Sequence, residues 1–142
     1  MTQPGPSSVP PCDEMKPVGD FKKLEVWQIA HKVTCQVYQA TATFPKTETY
    51  GVTAQLRRSA SSIPANIAEG CGRNGDREFG RFVRISLGSA TELEYHLLLS
   101  RDIGLLTASK YEELSGEVLR VRCMLARLNE ILKRQKRIAD SL

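Results

Sequence analysis

Arginine is the residue type whose placement in this 142-residue chain points to chemistry. Arg57 and Arg58 are adjacent, and Arg73, Arg77, Arg81 and Arg84 follow. The four-three spacing of Arg77, Arg81 and Arg84 places them on one face of a helix. Arg120, Arg127 and Arg134 recur every seven residues and line up along a second helix. Such rows of guanidinium groups suit a phosphate backbone, whose recognition is mainly charge neutralisation. RNA or DNA is therefore one expected partner, contacted by Arg57, Arg58, Arg73, Arg77, Arg81, Arg84, Arg127 and Arg134. The competing reading pairs these arginines with the acidic run from Glu92 to Glu117, within or between subunits. On that reading the chain is a scaffold for a protein partner.

Catalytic and metal chemistry find less support. Gly70-Cys71-Gly72-Arg73-Asn74-Gly75 spells GxGxxG ahead of a helix, but a dinucleotide fingerprint needs a strand before it, and here a helix precedes. The segment reads as a glycine-rich turn whose free N–H groups, near Arg73 and Arg77, suit at most a single phosphate. A di-iron bundle needs two ExxH units. Glu92 and Glu94 lie near His96 without standing three residues before it, and His31 is preceded at that distance by Gln28. Cys12, Cys35, Cys71 and Cys123 are scattered with no CxxC pair, which argues against a zinc site and a disulfide framework. Cys71 falls at a helix C-terminus, where the dipole disfavours a thiolate. Asn66 and Glu69 are assigned to satisfying backbone around Pro64 or pairing with an arginine. The reading is non-enzymatic, with no catalytic residue, cofactor or metal.

Composition agrees with a soluble single domain in the cytoplasm: 41% hydrophobic, 25% charged, no apolar run long enough for a membrane span and no signal-peptide core. The net charge of +4 is unevenly spread. Six arginines face three acids from Arg57 to Arg84, two bases face six acids from Glu92 to Glu117, and seven bases face one acid from Arg120 to Arg137. That asymmetry favours an acidic partner.

The elements that must position these residues are helices, and nothing reads as a strand. Residues 1–19 hold five of the seven prolines and are expected to form a disordered tail. A first helix over about 22–43 carries Val26, Ala30, Val33, Val37 and Ala40 at four-three spacing and stops at Pro45. In the second, Val52, Leu56, Ala60, Ile63 and Ile67 continue an apolar stripe past Pro64. This predicts a kinked helix, with Ser61, Ser62 and Asn66 bonding the backbone groups that proline frees. Gly70 and Gly72 are expected to close it in a left-handed cap.

The third helix begins after the Asn74-Gly75 turn and runs to about 103, with Phe79, Val83, Ser86, Ala90, Leu93 and Leu97 as its seam. Phe82, Ile85, Leu98 and Leu99 lie outside that seam, and Gly88 is expected to admit a neighbouring helix. These five residues are the expected oligomer contacts. Gly104 ends this helix, and Thr107 or Ser109 caps a fourth carrying Tyr111, Leu114, Val118, Val121, Leu125, Leu128 and Leu132. The fold class is all-α: an up-down-up-down antiparallel four-helix bundle over 20–136, with a proline-kinked second helix and a frayed end at 137–142.

FPKTETYGVTAQLRRSASSIPANIAEGCGR and EFGRFVRISLGSATELEYHLLLSRDIG together closely resemble the four-helix-bundle family first associated with intervening sequences in bacterial 23S ribosomal RNA genes. The blocks FPK, YG, QLRR, SIP, NIAEG, RF and GSA-ELE carry the likeness, which spans Phe21 to Leu132. Gln55, Arg57, Arg58, Asn66, Glu69 and Arg81 match the family blocks, whereas Val52 and Ser59 depart from them. The resemblance implies a ring-like homopentamer and no catalytic site. More distantly the chain resembles the accessory protein of diversity-generating retroelements, which implies a basic surface for nucleic acid.

Overall fold

The computed structural model describes residues 20–73 and 75–142. The expected tail at 1–19, and Asn74 of the expected Asn74-Gly75 turn, lie outside the described residues. A short 3-10 turn at Phe21–Lys23 precedes α1 (Glu25–Thr41), α2 (Val52–Cys71), α3 (Asp76–Asp102) and α4 (Ala108–Ser141). No strand occurs among the described residues. Asp20 caps the 3-10 turn by accepting from the Lys22 N–H.

Cross-helix contacts fix the topology. Thr34 meets Ala60, and Arg57 meets Tyr38 and Thr41, so α1 and α2 run antiparallel. Arg58 meets Glu92, Ser62 meets Ser89, and Ile63 meets Ser86, which sets α3 antiparallel to α2 in a constant register. The Arg122–Glu94 ion pair and the approach of Leu132 to Gly80 do the same for α4 against α3, and Arg120–Glu25 closes α4 onto α1. The result is the expected four-helix bundle.

The core is the sum of the apolar stripes. Val33, Val37, Leu56, Ile63, Ile67, Val83, Leu93, Leu97, Leu114, Val118, Val121 and Leu125 are all essentially solvent-free. Thr107 is the N-cap of α4, its hydroxyl accepting from the Lys110 N–H at 3.1 Å, so Thr107 rather than Ser109 takes this role. α3 ends at Asp102, and Gly104, with φ of 81°, opens the turn into α4. At the other end α4 stays helical to Ser141, past the point at 136 where fraying is expected.

α2 continues through Pro64 as one helix, as its apolar stripe predicts, but two other expectations for it are corrected. The orphaned Ala60 carbonyl is bonded across the bundle by the Thr34 hydroxyl at 3.0 Å. Ser61 instead bonds the carbonyls of Arg57 and Arg58, and Asn66 bonds Ser62. Gly72, with φ of −81°, is not a left-handed cap, and Gly70 lies inside the helix. Gly70 serves packing. A Cβ there would sit 2.9 Å from both the Phe79 ring and Phe82 Cβ, so hydrogen at this position lets α3 approach α2.

Candidate nucleic-acid interface

The bundle sorts the arginines into tethered and free groups. Arg57 is tethered: its Nε donates to Thr41 Oγ1 at 2.8 Å and its guanidinium stacks over the Tyr38 ring at 4.7 Å. Arg58 pairs with Glu92 across the α2–α3 seam and donates to Gln55. Glu92 also lies 3.4 Å from His96 Nε2. Arg73 pairs with Glu69 at 2.6 Å and Arg81 with Glu78 at 3.3 Å. Both cations also stack on the Phe82 ring, at 5.5 and 4.5 Å. The reading of Asn66 and Glu69 as backbone and arginine partners holds.

Arg77, Arg84, Arg127 and Arg134 form no ion pair among the described residues. Arg77 and Arg84 do more than stay free. The antiparallel register places them beside the end of α4, where Asp76, Arg77, Gly80, Arg84, Leu132, Lys133 and Lys136 enclose a cleft of about 250 Å³. Four cations thus share one hollow with a single acid, Asp76, and only Lys133 has a carboxylate neighbour, Glu130 at 3.6 Å. Sequence reasoning missed Lys133 and Lys136 as site residues. The signal was their i, i+3 spacing in the basic end of α4, readable only once the α3–α4 register is known. Arg127 and Arg134 lie on α4 outside this cleft.

The expected oligomer residues also divide. Phe82 is only 7% exposed, packed inside the subunit beneath Arg73 and Arg81, so its placement on an outer surface is corrected. Leu99 packs against the core and Leu98 is half-buried. Ile85 is 40% exposed, and Gly88 faces open space, with nothing within 4 Å of a Cβ built there. No helix of the same subunit therefore explains Gly88.

The GxGxxG segment is an interhelical connection: Gly70 in the last turn of α2, Gly72 its C-cap, and Gly75 (φ 90°) the N-cap of α3. Cys71 within it is buried, and burial, reinforced by the Asp20 carboxylate, pushes its thiol up to about 11. The native state holds this proton where the unfolded chain would release it. The associated stability is present below pH 9.0 and is lost as pH rises through about 11. At pH 8 a thiol reagent should label the exposed Cys35 and Cys123 rapidly and Cys71 only after denaturant is added, as peptide mass mapping would show.

Among the described residues no helix is long and apolar enough to cross a membrane. A solved structure with similar architecture is that of a Bacteroides thetaiotaomicron protein with unknown function from the S23 ribosomal protein family, 22% identical with a TM-score of 0.67. The match covers 73% of this chain and 97% of that one, and what it shows is the shared fold. A comparison with curated proteins gives no match. A family model, described as 23S rRNA-intervening sequence protein, matches residues 22–127, and neither it nor the solved structure indicates an enzyme. With that match covering most of the bundle, the chain belongs to the family of 23S rRNA-intervening sequence proteins.

Proposed function

We propose that this protein is a non-enzymatic, cytoplasmic helical bundle that assembles into a ring-like homopentamer and binds RNA or DNA through its basic faces. The observation that carries the reading is the convergence of Arg77, Arg84, Lys133 and Lys136 on one cleft, with three of these cations lacking any carboxylate partner among the described residues. Four cations gathered around the single carboxylate of Asp76 leave a net positive hollow, an arrangement that a bound polyanion relieves. Arg127 and Arg134 supply a further free row on α4. Arg57, Arg58, Arg73 and Arg81 are already engaged within the subunit and contribute at most secondarily.

The test is fluorescence anisotropy with a structured RNA and a duplex DNA across a salt series. A linear fall of log affinity with log salt, with a slope near −0.9 per neutralised phosphate on a duplex, is the expected result. No binding at low salt sinks the proposal.

The alternative reading is a protein-interaction scaffold whose arginines pair between subunits; the ion pairs Arg58–Glu92 and Arg122–Glu94 do draw on the acidic run. These pairs lie within one subunit, so they stabilise the bundle without requiring a partner. Assembly itself rests on the outward stripe of Ile85 and Gly88. In the isolated subunit Gly88→Leu should be neutral or stabilising, since leucine outranks glycine in a helix by roughly 0.8 kcal/mol. In the oligomer the same side chain meets the neighbouring copy. Light scattering should therefore show dissociation to monomers with an undiminished helical signal; an intact oligomer removes Gly88 from the interface.

A further inference from the structure

The cleft between α3 and α4 has a shape that a row of surface cations lacks. Gly80 is its floor: a Cβ there would meet Arg84 Nη1 at 3.3 Å and Leu132 Cβ at 4.0 Å, so the missing side chain lets the guanidinium lie over the backbone. A second hollow of about 310 Å³ shares Asp76, Arg77 and Lys136 and continues to Gln135, Ala139 and Asp140. Carboxylates therefore stand both where the two hollows meet and at the far side. A continuous phosphodiester strand threaded through both would be carried past Asp76 and Asp140. A strand that stops in the first hollow meets four cations and one acid. Gly75, the N-cap of α3, offers no side chain, so the first-turn N–H groups stay uncapped near the same hollow, their dipole end offset in part by Asp76 and Glu78.

Charge decides between the forms a phosphate takes. A backbone diester carries one negative charge, whereas a monoester carries about 1.5 to 2 at neutral pH and presents three acceptor oxygens. The hollow, near the lower bound of ordinary ligand pockets (about 300 Å³), holds a phosphate and part of a sugar but not a duplex. We infer that the Arg77–Arg84–Lys133–Lys136 hollow seats the terminal phosphate monoester of a single-stranded nucleic acid, with Asp76 accepting from a sugar hydroxyl. This rests on the nucleic-acid reading above and specifies which part of the polymer is grasped.

One labelled single-stranded oligonucleotide, prepared with a 5′-phosphate, with a 3′-phosphate, or with hydroxyls at both ends, tests this by anisotropy at fixed salt. A phosphorylated end should bind about tenfold tighter than the hydroxyl-ended strand. Arg84→Gln and, separately, Lys136→Gln on the exposed side of α4 should each bring that ratio towards one. Equal affinity for all three strands overturns the inference while leaving polymer binding intact. If no strand binds, the parent reading fails, and a nucleoside 5′-monophosphate titration followed by NMR of the arginine side chains decides the seat alone. Shifts confined to Arg77 and Arg84 sustain it, and their absence overturns it.

Discussion

Replacing Arg77 and Arg84 together by glutamate should lower affinity for RNA or DNA by about a hundredfold or more at physiological salt, and lower the salt slope by about 1.8. Two phosphate contacts disappear and two repulsive charges enter a hollow that already contains Asp76. Neither arginine holds an ion pair among the described residues and both are exposed, so the bundle should fold and melt nearly as before. Arg58→Glu makes the converse prediction. It sets a second carboxylate against Glu92, which also faces His96, and leaves Gln55 without its donor. Its melting temperature should fall while affinity changes by a few-fold at most. The reverse pattern, with binding lost in Arg58→Glu and retained in the cleft variant, would move the interface to the α2–α3 seam.

The contrast between those variants marks how far the sequence could be read. Helix number, order and core came through because four-three spacing of apolar residues is a local property, and Val33, Leu56, Val83 and Val118 are all buried as that spacing requires. Which arginine is free is not local. Arg58 and Glu92 stand 34 positions apart and meet only because α2 and α3 share a register. The seven-residue recurrence of Arg127 and Arg134 correctly describes a row, but the rotation of α4 turns Lys133 and Lys136, not that row, towards Arg77 and Arg84. Phe82 was misplaced for a related reason. Outside the main seam of α3 it looks exposed, yet Gly70 draws the helices together and two arginines cover its ring. Glycine was legible as a signal at positions 70 and 88. Its purpose differs at the two, close packing in one and an open face in the other.

Proline in α2 gives the clearest case of a local rule met by a distant residue, and a large effect on stability. Pro64 has no N–H, so the carbonyl of Ala60, itself fully buried, has no partner in its own helix. The Thr34 hydroxyl lies 2.9 Å from the Ala30 carbonyl and 3.0 Å from that of Ala60, sharing one hydrogen between them. Ala30 has its own helical bond to fall back on; Ala60 does not. Thr34→Val keeps the shape and removes the donor, leaving a buried carbonyl unsatisfied at a cost of about 1–3 kcal/mol, and should lower the denaturation midpoint accordingly. Thr34→Ser keeps a hydroxyl and should recover part of that loss. The decisive comparison is with Pro64→Ala, which restores an N–H for Ala60 within α2. In that background the Thr34→Val penalty should shrink to about 0.5 kcal/mol or less, a coupling that a double-mutant cycle in urea measures directly. Equal penalties in the two backgrounds would show that Thr34 stabilises the bundle through packing alone. A vanished penalty would establish that α1 completes the backbone of α2, and that the proline in this helix depends on a threonine 30 positions earlier in the chain.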